Sequence, residues 1–298
     1  MTAVPPYLVV FDFDHTIVDD NSDTFIYSAA PSGGLPRSVQ ALCREGHWTE
    51  FMNDTFAHLH SQGVSTERML DTLRGIPWTP GFVELLAYLR SNSQLFETII
   101  LSDSNTVFIC EILGTQPDAP ATFSAILTNA GVAVPDQPLH ITPFHTPARP
   151  HTCPRCSHNL CKHAALTAHR ARHAEGTGKD YERVFYVGDG GNDLCPSLGL
   201  GSGDVVCPRK GYALEARISK IRDAGGTGGE VRPRGHQSHE NGNGDQGRAQ
   251  SLHSATGPSY PEAQAQNVVT FSAEVVPWGS GREIQERLQT LVDSMQKR

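Results

Sequence analysis

The sequence contains no apolar run approaching the ~18 residues that a membrane-spanning helix requires, and it has no dense block of Lys and Arg. The first absence argues against a membrane protein. The second removes the electrostatic footprint of a nucleic-acid binder, and a formal net charge of −8 points the same way. Met1–Pro6 carries no basic segment leading into a long apolar stretch, so no secretory signal is expected and a cytoplasmic location is. The seven cysteines are an odd number in a chain read as unsecreted, and reduced thiols are the expectation. Charged residues reach only 19 %, but 38 % hydrophobic residues in 298 leave enough for a substantial core. There is no internal repeat.

What is present is an alternation of apolar strands and helices. Tyr7–Phe13 is an apolar run ending in acids and reads as a buried strand feeding a loop. Residues 22–90 read as mostly helical, with spaced apolar positions in Glu67–Arg74 and Gly81–Arg90 and punctuation by Pro36, Pro77 and Pro80. Phe96–Leu101 is a second buried strand, followed by a helix over Asn105–Leu113 and a short strand over Phe123–Leu127. Residues 129–161, rich in Pro, His and Cys, read as irregular. Lys162–His173 is a helix, Arg183–Val187 a strand, and Asp204–Cys207 another. Strands alternating with helices predict an α/β fold, a three-layer α/β/α Rossmann-like parallel sheet. The helical stretch after the first strand is too long for one crossover and is predicted to be a cap. Core segments are assigned to 7–21, 91–222 and 267–298, and the cap to 22–90. Residues 223–266, rich in Gly, Ser, Gln, Asn and His, have almost no large apolar side chains and are expected to be disordered. Order is expected to resume at Val268–Phe271, with a packing helix over Glu283–Met295.

Three motifs fall at the carboxyl ends of strands, where open α/β sheets bind ligands. They are Asp12-Phe13-Asp14, Ser102-Asp103-Ser104-Asn105 and Gly188-Asp189-Gly190-Gly191-Asn192-Asp193. A phosphomonoester is itself an anion, so a carboxylate attacks it only where cations neutralise the charge. Asp12 is the candidate nucleophile. Asp14, on the same side of an extended segment, is the candidate general acid and base. An all-oxygen donor set suits magnesium, with the side chains of Asp12 and Asp189, the backbone carbonyl of Asp14, and Asp193 directly or through water.

Asp12-Phe13-Asp14-His15-Thr16, Ser102, Lys162 and Gly188–Asp193 resemble the four ordered motifs of the haloacid dehalogenase superfamily. The longer segments narrow the match. Phe11 through Asp23, Arg44-Glu45-Gly46, Leu101 through Thr106, Pro143-Phe144-His145-Thr146, Cys161-Lys162-His163, Phe185–Asp193 and Val275-Val276-Pro277-Trp278 resemble the phosphoethanolamine/phosphocholine phosphatase family. The resemblance spans about residues 7–222 and 267–296. It implies a HAD-like core and a phosphoric monoester hydrolase acting through an aspartyl-phosphate. It implies that Ser102 and Lys162 hold the phosphoryl oxygens, that Asp12, Asp14 and Asp189 bind magnesium, and that Asp23 and Asp103 bind substrate. Phosphoethanolamine and phosphocholine are the leading substrates, whose cationic headgroups suit acids at the pocket mouth. Pyridoxal phosphate, pyrophosphate and thiamine monophosphate are the alternatives. His15 and Ser104 depart from the family's usual residues, often Glu and Ala, and bear on substrate preference.

Other readings stay open. A phosphonatase needs a Schiff-base lysine in the cap, and no lysine occurs from Ser22 to Arg90. A non-catalytic binding protein on the same fold would be suggested by loss of Asp12 or Asp14, and both are present. Cys153-x2-Cys156-x4-Cys161-x-His163 has zinc-like spacing. A redox pair of Cys153 and Cys156 is another option, and reduced thiols in a loop near the site are the default expectation. A small phosphomonoester is the expected partner; the sequence identifies no protein partner.

Overall fold

The structure, a computed structural model, describes residues 4–44, 46–226 and 271–296. Seven strands form one sheet in the order β4-β3-β2-β1-β5-β6-β7. They are β1 (Tyr7–Phe11), β2 (Phe96–Asn105), β3 (Ala125–Val132), β4 (His140–Thr142), β5 (Arg183–Gly188), β6 (Val205–Pro208) and β7 (Glu274–Val275). All neighbours pair parallel except β3 and β4. β1 lies centrally, in register with β2 on one side and β5 on the other. The chain crosses from one side of β1 to the other between β3 and β5. That reversal opens a crevice at the strand ends, where Asp12 and Asp189 follow β1 and β5.

A strand buried on both faces sends successive side chains into different layers. Tyr7, Val9 and Phe11 join one core cluster, and Leu8 and Val10 join the other. The first layer contains α5 (Phe82–Ser91), α6 (Thr106–Leu113) and α10 (Gly281–Gln296). The second contains α7 (Lys162–Thr177) and α9 (Ala213–Gly226), with Ala165, Leu166, Leu214 and Ile218 buried on it. Between β1 and β2 run α1 (Ser22–Phe25), α2 (Arg37–Gln40), α3 (Trp48–Ser61) and α4 (Thr66–Leu73), before α5. α8 (Leu194–Leu198) follows the β5 loop.

Phe82 of α5 packs edge-on against Phe11 of β1 at 5.6 Å and against Trp278 at 5.5 Å. The range 22–90 therefore includes a helix that lies on the sheet. α5 and α10 meet at two glycines. A Cβ at Gly281 would stand 2.4 Å from the Gly81 carbonyl oxygen, and Gly81 itself has φ +80°. Neither position has room for a side chain without backbone movement.

Several expectations are corrected. β1 ends at Phe11, and Asp12 makes one more sheet hydrogen bond, from its amide to the Val187 carbonyl at 2.9 Å. β2 runs through Asn105, beyond the expected Leu101, because its register slips against β3 between those residues. Residues 129–161 are not wholly irregular, since β3 reaches Val132 and β4 pairs back onto it. The β4 edge is tied down by Asn53 of α3, which both donates to the Ile141 carbonyl and accepts from its amide. Residues 223–226, expected to be disordered, close α9. The rest of that insert and Val268–Thr270 lie outside the described residues. Among the described residues no helix is long and apolar enough to cross a membrane.

Trp278 joins these layers. It is 1 % exposed, donates from Nε1 to the Cys207 carbonyl at 2.8 Å, and packs at a tilt against Phe82. Replacing a buried aromatic by alanine typically costs about 3–5 kcal/mol. Trp278→Ala is expected to lose a stability of that order in urea denaturation, with Trp278→Phe keeping most of it. Equal stability of Trp278→Ala and the parent protein would contradict this packing account.

Candidate active site

The site is built on the ends of β1, β2 and β5 and the start of α7. Lys162, the first residue of α7, is 1 % exposed. Its Nζ lies 2.8 Å from Asp12 Oδ1 and 2.8 Å from Asp193 Oδ1. A buried ammonium needs such partners, because burial alone would drive off its proton. Burial pushes the Lys162 pKa down, but the charges of Asp12, Asp193 and Asp103 outweigh it and hold the amine protonated.

Asp193 is fixed by more than Lys162. Tyr186 of β5 donates its hydroxyl to Oδ1 at 2.7 Å, and the amides of Asp189 and Gly190 donate to Oδ2 at 3.0 and 2.9 Å. Four donors fill the four acceptor sites of the carboxylate. The loop can close this tightly because residue 188 is glycine: a Cβ there would sit 2.4 Å from Asp193 Oδ2.

Asp12, Asp189 and Asp193 bring carboxylate oxygens within 4.8 Å of one another, and all three are buried. Burial raises the pKa of Asp12 well above the ordinary carboxylate range, and the nearby Asp193 charge adds to it. Asp189 is raised by the same two causes. One lysine does not balance this charge. A hard divalent cation fits the donor set and the deficit.

Asp14 faces the site for a reason other than strand alternation. The chain turns at Phe13, whose carbonyl accepts from the amides of Thr16, Ile17 and Val18. His15 takes φ +52° in that turn. Arg209 holds it from outside, donating to the His15 carbonyl at 2.6 Å and to Asp19 Oδ1 at 2.5 Å. Asp14 accepts from the Ser22 amide at 2.8 Å. Burial raises its pKa to about 7, against the opposing pull of the Ser22 hydrogen bonds.

Ser102 is fully buried where β2 leaves its register with β3, and its Oγ accepts from the Ser104 amide at 3.2 Å. Asn129 ties this bulge down by donating to the carbonyls of Asp103 and Ser104. Asn192 donates to Asp103 Oδ2 at 3.0 Å, linking the β2 and β5 loops. Asp23 is 3 % exposed and accepts from Trp48 Nε1 through Oδ2 at 2.6 Å. Its Oδ1 is buried with no hydrogen-bond partner. Burial raises the Asp23 pKa, and the Asp14 charge contributes.

The cysteine grouping differs from the sequence reading. Cys153, Cys156 and Cys161 converge with Cys195 of α8, and His163 is not among them. Lys162 points into the site, so the next helical position turns away. The His163 ring packs instead on Gly199, where a Cβ would come within 2.3 Å of it. Tyr186, Asn129, Asn192, Arg209, Trp48 and Cys195 were not singled out as site residues from sequence. Their signals are weak there, because each acts through a contact distant in the chain.

A mostly parallel α/β sheet with paired acids and a buried lysine at its switch point is an arrangement suited to a phosphoric monoester hydrolase. Residues 7–231 match the family described as Putative Phosphatase. The chain belongs to that family. It is 41 % identical over 214 residues to the bovine (Bos taurus) pyridoxal phosphate phosphatase PHOSPHO2, covering 72 % of this chain and 86 % of that one. It is 40 % identical over 222 residues to the human (Homo sapiens) phosphoethanolamine/phosphocholine phosphatase, covering 74 % and 81 %. A HAD family hydrolase from Salmonella enterica superposes with a TM-score of 0.47 at 18 % identity, over 73 % of this chain and 66 % of that one.

Gly188→Ala tests the geometry, since the new methyl group must displace the Asp193 carboxylate. Activity is expected to fall about 100-fold or more, equivalent to a loss of about 2.7 kcal/mol in the transition state, while circular dichroism shows the fold retained. Near-normal activity would mean that the position of Asp193 is not critical.

Proposed function

We propose that the protein hydrolyses small phosphomonoesters with Asp12 as nucleophile, and that it prefers esters bearing a cationic headgroup. The observation that carries the reading is the Lys162 ammonium held 2.8 Å from both Asp12 and Asp193 at the bottom of an acidic crevice. Asp12 attacks phosphorus, forming an acyl phosphate as the ester P–O bond breaks. Asp14 gives its proton to the departing alkoxide, and a pKa near 7 leaves it a proton to give. Asp14 then takes a proton from water, which attacks phosphorus and releases Asp12 and inorganic phosphate. Lys162 and Ser102 hold the phosphoryl oxygens during both steps.

Magnesium, bound through Asp12, Asp189 and the Asp14 carbonyl, would supply the charge neutralisation that lets one anion approach another. Asp193 contributes from behind, since its own acceptor sites are taken by Lys162, Tyr186 and two amides. Its oxygens lie close enough to Asp12 and Asp189 to be ligands. We favour contact through water, because a direct bond would displace a donor already in place. Helices α1–α4 form the cap in this reading, with α5 in the core.

Asp23 and Asp103 are the proposed headgroup acids. Asp23 offers a buried carboxylate oxygen without a partner, which an ammonium group would satisfy by a charged hydrogen bond and a choline group by charge alone. Phosphoethanolamine and phosphocholine are therefore the leading substrates. Pyridoxal phosphate is the second reading, supported by relatives of equal similarity that carry that name.

Asp12→Asn is expected to abolish phosphate release, and retained activity would refute the mechanism. A panel of phosphoethanolamine, phosphocholine, pyridoxal phosphate, pyrophosphate, thiamine monophosphate and glycerol 3-phosphate decides the substrate. Asp23→Asn should raise KM for the amine esters about 10- to 100-fold, the range of a charged hydrogen bond, and leave pyridoxal phosphate little changed. If the amine esters show no advantage over glycerol 3-phosphate, the headgroup reading is wrong.

A further inference from the structure

Four thiols meet at one point beside the active site and take no part in the chemistry above. The sulfurs of Cys153, Cys156, Cys161 and Cys195 all lie within 4.8 Å of one another. Cys153 is 3.8 Å from Cys156 and 3.6 Å from Cys195. A disulfide needs about 2.05 Å between sulfurs, and all seven cysteines are free. A tetrahedral ion bound by sulfur at about 2.3 Å sets its ligands about 3.8 Å apart. The observed separations are those of a ligand cage and too long for a bond.

We propose that Cys153, Cys156, Cys161 and Cys195 bind one structural zinc ion. Four thiolates in a tetrahedron select zinc or iron among common metals and disfavour magnesium, which takes hard oxygen donors. Coordination converts thiols to thiolates and releases their protons to solvent. Cys161 is placed for this change: it caps the N-terminus of the sixteen-residue α7, and its sulfur accepts from the Ala164 amide at 3.5 Å. The four protein ligands complete the coordination, which marks a structural site and leaves no position for substrate. Cys153 and Cys156 are half-buried and give the ion an entry path, while Cys161 and Cys195 are buried.

The ion would join two elements that the active site also joins. Cys161 immediately precedes Lys162, and Cys195 lies two residues after Asp193. The Lys162–Asp193 ion pair closes this junction on the crevice side. The zinc site closes it from behind and anchors the loop that leads into α7. That loop has little regular structure between β4 and α7. Its hydrogen bonds include the His145 amide to the Asn159 carbonyl and the His151 ring to the Ser157 carbonyl, each at 2.8 Å, and a metal staple would add a constraint to these.

Metal analysis of the purified full-length protein tests this without reference to substrate, so it stands or falls separately from the phosphatase reading. The expected result is about one zinc per chain, retained on dialysis against a chelator that removes magnesium, with X-ray absorption showing four sulfur neighbours at about 2.3 Å. Cys195→Ser should lose the zinc and lower the melting temperature, whereas His163→Ala should keep both. The wild-type measurement decides the matter even if Cys195→Ser does not fold. Absence of zinc, iron in its place, an intact mass showing a Cys153–Cys156 disulfide, or zinc lost in His163→Ala would each overturn the proposal.

Discussion

A lysine ammonium buried among carboxylates is the constraint on which the rest of the site depends. Lys162 is almost wholly withdrawn from water, and it stays charged only because Asp12 and Asp193 lie beside it. Removing one partner of a buried pair typically costs 3–5 kcal/mol, about the scale of a domain's net stability. The fold therefore fixes both partners from several directions. Sheet pairing carries on into the Asp12 amide. Tyr186 and two amides hold Asp193, and the missing Cβ of Gly188 leaves room for its carboxylate. Each of these is a local feature, but they share one effect, which is to keep a cation fixed at the ends of β1 and β5, where the proposed reading places the phosphoryl group.

The same cluster is over-supplied with negative charge. Burial and mutual repulsion raise Asp12 and Asp189 above their ordinary range, and a single lysine does not cancel this. In the proposed reading the imbalance is useful. A site already neutral would bind a divalent cation weakly; here three carboxylates and one lysine leave a net −2, which one divalent ion would cancel, so that a dianionic ester meets no net repulsion. An acidic protein can thus handle an anionic substrate because its positive charge is delivered locally, by one lysine and one hard ion, while the chain as a whole carries −8.

The positions of β1 and β5, though not the exact end of β1, were legible in the sequence because both are short apolar runs followed closely by acids. Helix α7 was legible because Lys162 opens a periodic segment. The β3–β4 pairing was not. Asn129 and Gly131 interrupt the apolar pattern, and β4 is three residues held partly by Asn53 from a different helix. Tyr186 reads as one more residue of a buried strand; only the fold shows its hydroxyl reaching Asp193. The sequence offered His163 as a neighbour of Cys161, but helical geometry turns that position away. The fourth thiol comes from Cys195, 34 positions along the chain from Cys161. Spacing rules find ligands that are close in sequence and miss those brought in by a crossover.

The segment around Ser22 and Asp23 connects proton transfer to the proposed headgroup site. Ser22 donates its amide to Asp14, and its hydroxyl meets Ser104 at 2.9 Å. The next residue, Asp23, is held by Trp48 from α3. The acid proposed to handle the proton and the acid proposed to meet the headgroup are thus set by adjacent residues of one short helix. Burial raises the Asp23 pKa and the Asp14 charge adds to it, so a cation paired with Asp23 would offset that repulsion and hold Asp23 ionised. In the proposed reading a cationic headgroup and the ionised form of Asp23 then favour one another. In this arrangement a substrate without a positive headgroup leaves Asp23 Oδ1 buried and without a partner, and that cost is what would discriminate against it.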